Sequence, residues 1–135
     1  MNVACDRWTI FHVDDDPAIL DITDLSLSRS GAFHVWSFGS APAALDHLPL
    51  LQPHLVLLDL IMPRVDGFMF LKDLQNATSV RRVPVILMTA RPGKAQLACL
   101  TGMGVIGLIA KPFDPLRLPR DICTLWGATE RNESG

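Results

Sequence analysis

The sequence predicts an α/β protein, a doubly wound five-stranded parallel sheet with five helices on its two faces. Three observations carry that expectation. Five short apolar runs, starting near residues 8, 33, 55, 83 and 105, alternate with segments whose apolar residues recur at helical spacing. Two of these runs, Leu55–Leu58 and Val83–Met88, show no polar alternation, as expected of strands buried on both faces. Acid–proline pairs, Asp16-Pro17 and Asp114-Pro115, stand where helices should begin, because the carboxylate accepts from free backbone N–H groups and proline suits the first helical position. Strict strand–helix alternation gives a parallel sheet with right-handed crossovers.

The first strand is Trp8–Val13, stopping at three acids, Asp14-Asp15-Asp16. The helix after it places Ala18, Ile22 and Leu25 on one face and ends at Gly31, a glycine C-cap. Phe33–Phe38 alternates and is aromatic-rich, giving the second strand. Ser40-Ala41-Pro42 opens a second helix running to about Leu51, broken late by Pro49. Leu55–Leu58 and Asp59 form the third strand, and Asp66-Gly67 turns into a helix with Phe68, Leu71 and Leu74 inward. The fourth strand, Val83–Met88, leads to Thr89, and a short helix follows over 94–102. Val105–Ala110 is the fifth strand, ending at Lys111-Pro112-Phe113. The last helix turns Leu118, Ile122 and Leu125 to the core; Pro119 leaves its start open between Asp114-Pro115 and Pro119 itself. The tail from Ala128 is polar and expected to fray.

At 135 residues the chain suits one domain with a sizeable core, and 49% hydrophobic residues argue against disorder. Twelve basic against 14 acidic residues, a net charge of −2, offer no electrostatic argument for nucleic acid. Cys5, Cys99 and Cys123 lack CxxC spacing and are expected to be reduced core thiols; His12, His34, His47 and His54 lack ligand spacing. His12, inside the first strand, is expected to be a hydrogen-bonded core histidine, and Met62, Met69 and Met88 core filler. No secretory leader is apparent, and the apolar stretch Leu97–Ala110 is too short and too glycine-rich to span a bilayer. A soluble, cytoplasmic protein is expected.

Parallel strands bring their carboxyl ends to one edge, where ligands of open α/β sheets bind. On that edge lie Asp14 and Asp15 from the first strand, Asp59 from the third, Thr89 from the fourth and Lys111 from the fifth. Taken alone, Asp59 is either a site residue or a partly exposed acid ending its strand. Together, three clustered carboxylates repel one another unless neutralised, and a hard divalent cation such as Mg²⁺ does so through oxygen ligands. A carboxylate can also be a nucleophile that carries a phosphoryl group, with a lysine and a hydroxyl to hold it. The residue types fit a metal-assisted aspartyl-phosphate site.

Over residues 8–127 the chain resembles the receiver domain of two-component response regulators, of the chemotaxis-receiver type. The motifs are Val13-Asp14-Asp15, Leu58-Asp59 with Met62-Pro63 and Asp66-Gly67, Val85 to Thr89-Ala90, and Lys111-Pro112-Phe113, in the family's order and spacing. The resemblance implies a flavodoxin-like sheet in the order 2-1-3-4-5. It implies that Asp59 accepts a phosphoryl group from a histidine kinase or histidine phosphotransfer protein. Asp15 and Asp59 would bind Mg²⁺ (or Mn²⁺), with Asp14 acting largely through water and Ile61 through its backbone carbonyl. Lys111 would pair with the phosphoryl oxygens, and Thr89 would hydrogen-bond to one of them. Ile61 and Arg91 would flank the phosphoryl group. Asp16 is assigned to helix capping, and a cis bond before Pro112 is expected.

The chain departs from the family at Leu108, where receivers usually carry the aromatic ring that moves when the hydroxyl residue is drawn to phosphate. Gly102, Gly104, Gly107 and Pro119 crowd the same region, the family's usual output surface. The expectation is a stand-alone receiver, with short termini at 1–7 and 128–135 and no output domain, relaying its signal to a downstream protein by interaction or phosphotransfer. No nucleic-acid or membrane partner is expected, nor any enzyme activity beyond Mg²⁺-assisted self-phosphorylation and autodephosphorylation. The alternative is an adaptor that works independently of phosphorylation through an atypical Leu108 switch. A phosphatase or mutase of another phosphoaspartate family would need a second acid two residues after the nucleophile, where this chain has Ile61. A flavodoxin-like cofactor binder would need a phosphate loop after the first strand, where this chain is acidic.

Overall fold

The computed structural model describes residues 8–59, 67–77, 83–90 and 101–134. Its elements are β1 (Trp8–Val13), α1 (Pro17–Arg29), β2 (Phe33–Phe38), α2 (Ala41–His47), β3 (Leu55–Asp59), α3 (Gly67–Ala77), β4 (Val85–Thr89), a 3-10 turn (Thr101–Met103), β5 (Val105–Ala110) and α4 (Leu118–Ser134). The strands form one sheet in the order β2-β1-β3-β4-β5, with parallel pairing throughout. Four α-helices stand among the described residues; the helix expected over 94–102 lies outside them as far as residue 100.

The two faces of the sheet bury separate apolar layers. Phe11, Val13, Leu58 and Leu87 pack with Ala44 of α2 and Leu71 and Leu74 of α3. Ile10, Leu57, Ile86 and Ile109 pack on the other side with Leu27 of α1 and Leu118 and Ile122 of α4. β3 and β4 are buried at every position, which is why their sequences run apolar without alternation. Each fully buried aliphatic side chain contributes about 1.5–3 kcal/mol, so these two strands anchor both layers. Among the described residues no helix is long and apolar enough to cross a membrane.

The helix ends follow the capping chemistry of the sequence. The Asp16 side chain accepts from the Ala18 N–H at the start of α1, and Ser40 accepts from Ala43 N–H at the start of α2. Gly31, with φ 78°, follows the Ser30 cap of α1, in a backbone region glycine adopts without penalty. Pro119 falls in the first turn of α4, where its missing N–H costs no helical hydrogen bond.

Several expectations are corrected. The inward face of α1 is carried by Thr23 and Leu27, while Ile22 and Leu25 are 40% and 59% exposed and Ala18 is exposed too. The polar Thr23 masks the buried stripe, and the apolar residues beside it give a false one. α2 stops at His47, well short of Leu51, and Leu48 caps it before Pro49. Met69 is 54% exposed on α3, where Phe70 takes the inward position beside Leu71 and Leu74; Met88 is buried, and Met62 lies outside the described residues. Cys123 is exposed rather than a core thiol, and Cys5 and Cys99 lie outside the described residues. The C-terminal segment, expected to fray from Ala128, continues α4 to Ser134.

The turn into β5 depends on glycine. Gly104 has φ 91°, and a Cβ there would collide with the Gln75 side-chain amide, which donates to the Met103 carbonyl at 3.0 Å. Gly104→Ala adds left-handed strain and displaces that amide, so it should lower stability by about 1–2 kcal/mol. An unchanged urea midpoint in the variant would contradict this account of the turn.

Candidate functional site

Register decides which side chains meet at the carboxyl edge. Val13 lies opposite Phe38 on β2 and Leu58 on β3, so Asp14 and Asp59 leave their strands at the same level. Asp59 is registered with Met88, and Thr89 with Ala110, one residue before Lys111. Backbone bonds extend this order past the strand ends: Asp14 N–H donates to Phe38 O at 3.1 Å, and Lys111 N–H to Thr89 O at 2.8 Å.

The carboxylates of Asp14, Asp15 and Asp59 converge, each offering an oxygen within 4.8 Å of the others. Asp14 is fully buried, Asp59 nearly so, and Asp15 faces solvent. The Lys111 ammonium lies 2.7 Å from Asp14 Oδ2 and 3.4 Å from Asp59 Oδ2. Burial alone would lower the Lys111 pKa. The hydrogen bond and charge of Asp14, with those of Asp59, outweigh it and hold the ammonium's pKa above its ordinary value. Lys111 therefore stays charged and offsets one of three negative charges. Buried carboxylate oxygens sharing one cation suit a hard divalent ion such as Mg²⁺.

The structure thus brings Asp14, Asp15, Asp59 and Lys111 together, with Thr89 buried at the end of the adjoining strand. Ile61 and Arg91 lie outside the described residues. The Lys111–Pro112 peptide bond is cis. One contact was not foreseen: the Asp16 backbone N–H donates to Asp14 Oδ1 at 2.9 Å, so the residue that caps α1 also orients the buried acid. The Asp-Asp-Asp-Pro run is the only sequence signal for it. His12 is buried as expected but is not satisfied; neither ring nitrogen has a hydrogen-bond partner among the described residues. Burial, partly opposed by the Asp14 charge, pushes its pKa down to about 4, so the ring is neutral at physiological pH.

Leu108 is half-buried against the α3-side layer. Beside it, between β5 and α4, is a groove of about 430 Å³ that also touches Phe113, Arg117, Asp121 and Thr124.

The sheet order and the acidic, lysine-bridged crevice at the switch point between β1 and β3 put the site where ligands of flavodoxin-like sheets bind. The response regulator receiver domain family matches residues 10–122, and the chain belongs to that family. Phosphorylation of an aspartate in two-component signalling characterises the family, as does Mg²⁺ binding at an acidic pocket. The chain is 35% identical over 103 residues to the response regulator Rre1 of Synechocystis, covering 76% of this chain and 45% of that protein. It is 30% identical over 122 residues to RpaA of the same organism, described as a DNA-binding dual master transcriptional regulator, covering 90% of this chain and 50% of that one. The chain therefore spans about half the length of the curated relatives it matches. The fold is shared with the Vibrio cholerae chemotaxis protein CheY4, at TM-score 0.80 and 21% identity over 88% of this chain and 98% of that one. A response regulator from Desulfuromonas acetoxidans superposes at TM-score 0.76 with 29% identity, covering 90% and 98% of the two chains.

Lys111 holds apart charges that would otherwise face each other in a partly dry site. Lys111→Met in chelator should lower stability by about 2–3 kcal/mol, because the buried Asp14 carboxylate loses its counter-charge and keeps, among the described residues, only the Asp16 N–H. Added Mg²⁺ should narrow that difference. Equal urea midpoints for the variant and native protein in chelator would count against this role of the ammonium.

Proposed function

We propose that residues 8–127 form a receiver unit in which Asp59 accepts a phosphoryl group from the phosphohistidine of a histidine kinase or histidine phosphotransfer protein. The observation that carries the proposal is the placement of Asp59 at the end of β3, within the three-acid group and 3.4 Å from the Lys111 ammonium. An Asp59 carboxylate oxygen attacks phosphorus, the P–N bond of the donor breaks, and the donor imidazole departs with the bonding electrons. Lys111 is placed to take up the phosphoryl oxygens, exchanging part of its contact with the acids for them. Thr89, at the end of the adjoining strand, supplies a hydroxyl to one of those oxygens. Asp15 and Asp59 would hold Mg²⁺, or Mn²⁺, with Asp14 supporting it through water and the Ile61 carbonyl completing the protein ligands; the ion supplies charge neutralisation for the transfer. The engagement of Asp14 by Lys111 and by the Asp16 N–H supports this supporting part for Asp14.

Phosphorylation is then a local change of charge that biases the surface around β5 and α4 toward a partner. With Leu108 in place of a ring, the shift must travel by aliphatic repacking next to the groove between β5 and α4.

The test is incubation with acetyl phosphate and Mg²⁺ followed by intact-mass measurement. The native protein should gain one phosphoryl group, and Asp59→Asn and samples in excess chelator should gain none. No gain in the native protein, or a gain that survives Asp59→Asn, would overturn the assignment and favour an adaptor that works without phosphorylation.

A further inference from the structure

The layer between α1 and the sheet contains polar groups that neither the fold nor the crevice uses. His12 points to the same face of β1 as Ile10, which packs with Leu27 of α1. Both ring nitrogens lack partners among the described residues, although the side chain is fully buried. Thr23, also fully buried and one turn before Leu27, has a hydroxyl with no partner among the described residues. Thr23 and Leu27 share the buried face of α1, and His12 follows Ile10 on the side of β1 that packs with Leu27, so both polar residues face the same layer.

A neutral imidazole has one donor and one acceptor, and each buried polar group left unpaired costs about 1–3 kcal/mol. Asp14 is poorly placed to supply a partner, because its oxygens are turned to the Asp16 N–H and to Lys111. Across the strands His12 is flanked by apolar Leu57 on one side and by Ser37 on the other. Ser37 is exposed and lies on the edge strand, so the ring has a polar neighbour open to solvent. Internal waters occupy such places, making two to four hydrogen bonds to buried groups that lack other partners.

We propose that His12 and Thr23 together bind an internal water molecule between β1 and α1, reached from the Ser37 side of the sheet. The water accepts from or donates to one imidazole nitrogen and bonds to the Thr23 hydroxyl, fixing α1 against β1. Asp16 at the head of α1 orients Asp14, so the water is a positioning element for the crevice rather than part of it.

A crystal structure at a resolution that shows ordered waters should contain a density peak within hydrogen-bonding distance of a His12 ring nitrogen and the Thr23 hydroxyl. Thr23→Val, which preserves shape, should lose that peak, and Thr23→Ser should retain it. Long-range ¹H–¹⁵N spectra read through the carbon-bound ring protons should show one fixed His12 tautomer in the native and serine proteins and a tautomer mixture in the valine variant. A direct His12–Thr23 hydrogen bond, an empty site, or a water and tautomer unchanged by Thr23→Val would overturn the proposal.

Discussion

Parallel pairing is the constraint on which the rest of this molecule depends. Because every strand runs the same way, the polar residues that end β1, β3, β4 and β5 all emerge on one edge. The pairing also requires crossovers, and these put helices over both faces, so the central strands are apolar on both sides. One topological choice thus explains the uninterrupted Leu55–Leu58 run and the abrupt appearance of Asp59 at its end. The apolar runs secure the register, and the register sets Asp14, Asp59 and Lys111 within ion-pairing distance.

Legibility in the sequence follows from how local each determinant is. Strand existence, strand order by resemblance, the Asp16 cap and the acid group were all readable, because each rests on a run, a cap residue or a spaced motif. The inward face of α1 was not readable. The periodicity points to Ile22 and Leu25, but the residues the helix buries are Thr23 and Leu27. A polar residue on the buried face of a helix leaves no hydropathy signal to read. The bond from Asp16 to Asp14 escaped for a related reason: a backbone donor has no residue type to read. Hydropathy alone does not separate Met69, which is exposed, from Phe70, one residue on, which faces the core.

The C-terminal half shows how the fold accommodates residues that look disruptive in isolation. Gly107 leaves no Cβ where Leu125 of α4 approaches; a methyl there would stand 2.8 Å from a Leu125 methyl group. The glycine is therefore the seat of the last helix on the edge strand, not a weakness in β5. β5 also carries an irregularity in its pairing with β4 between Val85 and Ile86, which absorbs Ile106 before the register resumes at Gly107. Pro119, which seemed to oppose the helix, sits in its first turn. Gly104 thus serves the turn beside Gln75, Gly107 the packing of α4, and Pro119 the start of that helix.

That packing bears on how charge at the crevice reaches the surface. Lys111 follows β5 directly, and its backbone is tied to Thr89 of β4. Any movement of the lysine toward a new anion therefore pulls on the end of β5, three residues beyond Leu108. Leu108 is half-buried and borders the groove on which Phe113 and α4 also open. A rotating ring would convert such a pull into a large local change at one position. An aliphatic side chain has less volume to move, so the same displacement would spread along the strand toward Gly107, where Leu125 packs. On the proposed reading, the coupling would belong to the seam between β5 and α4 as a unit.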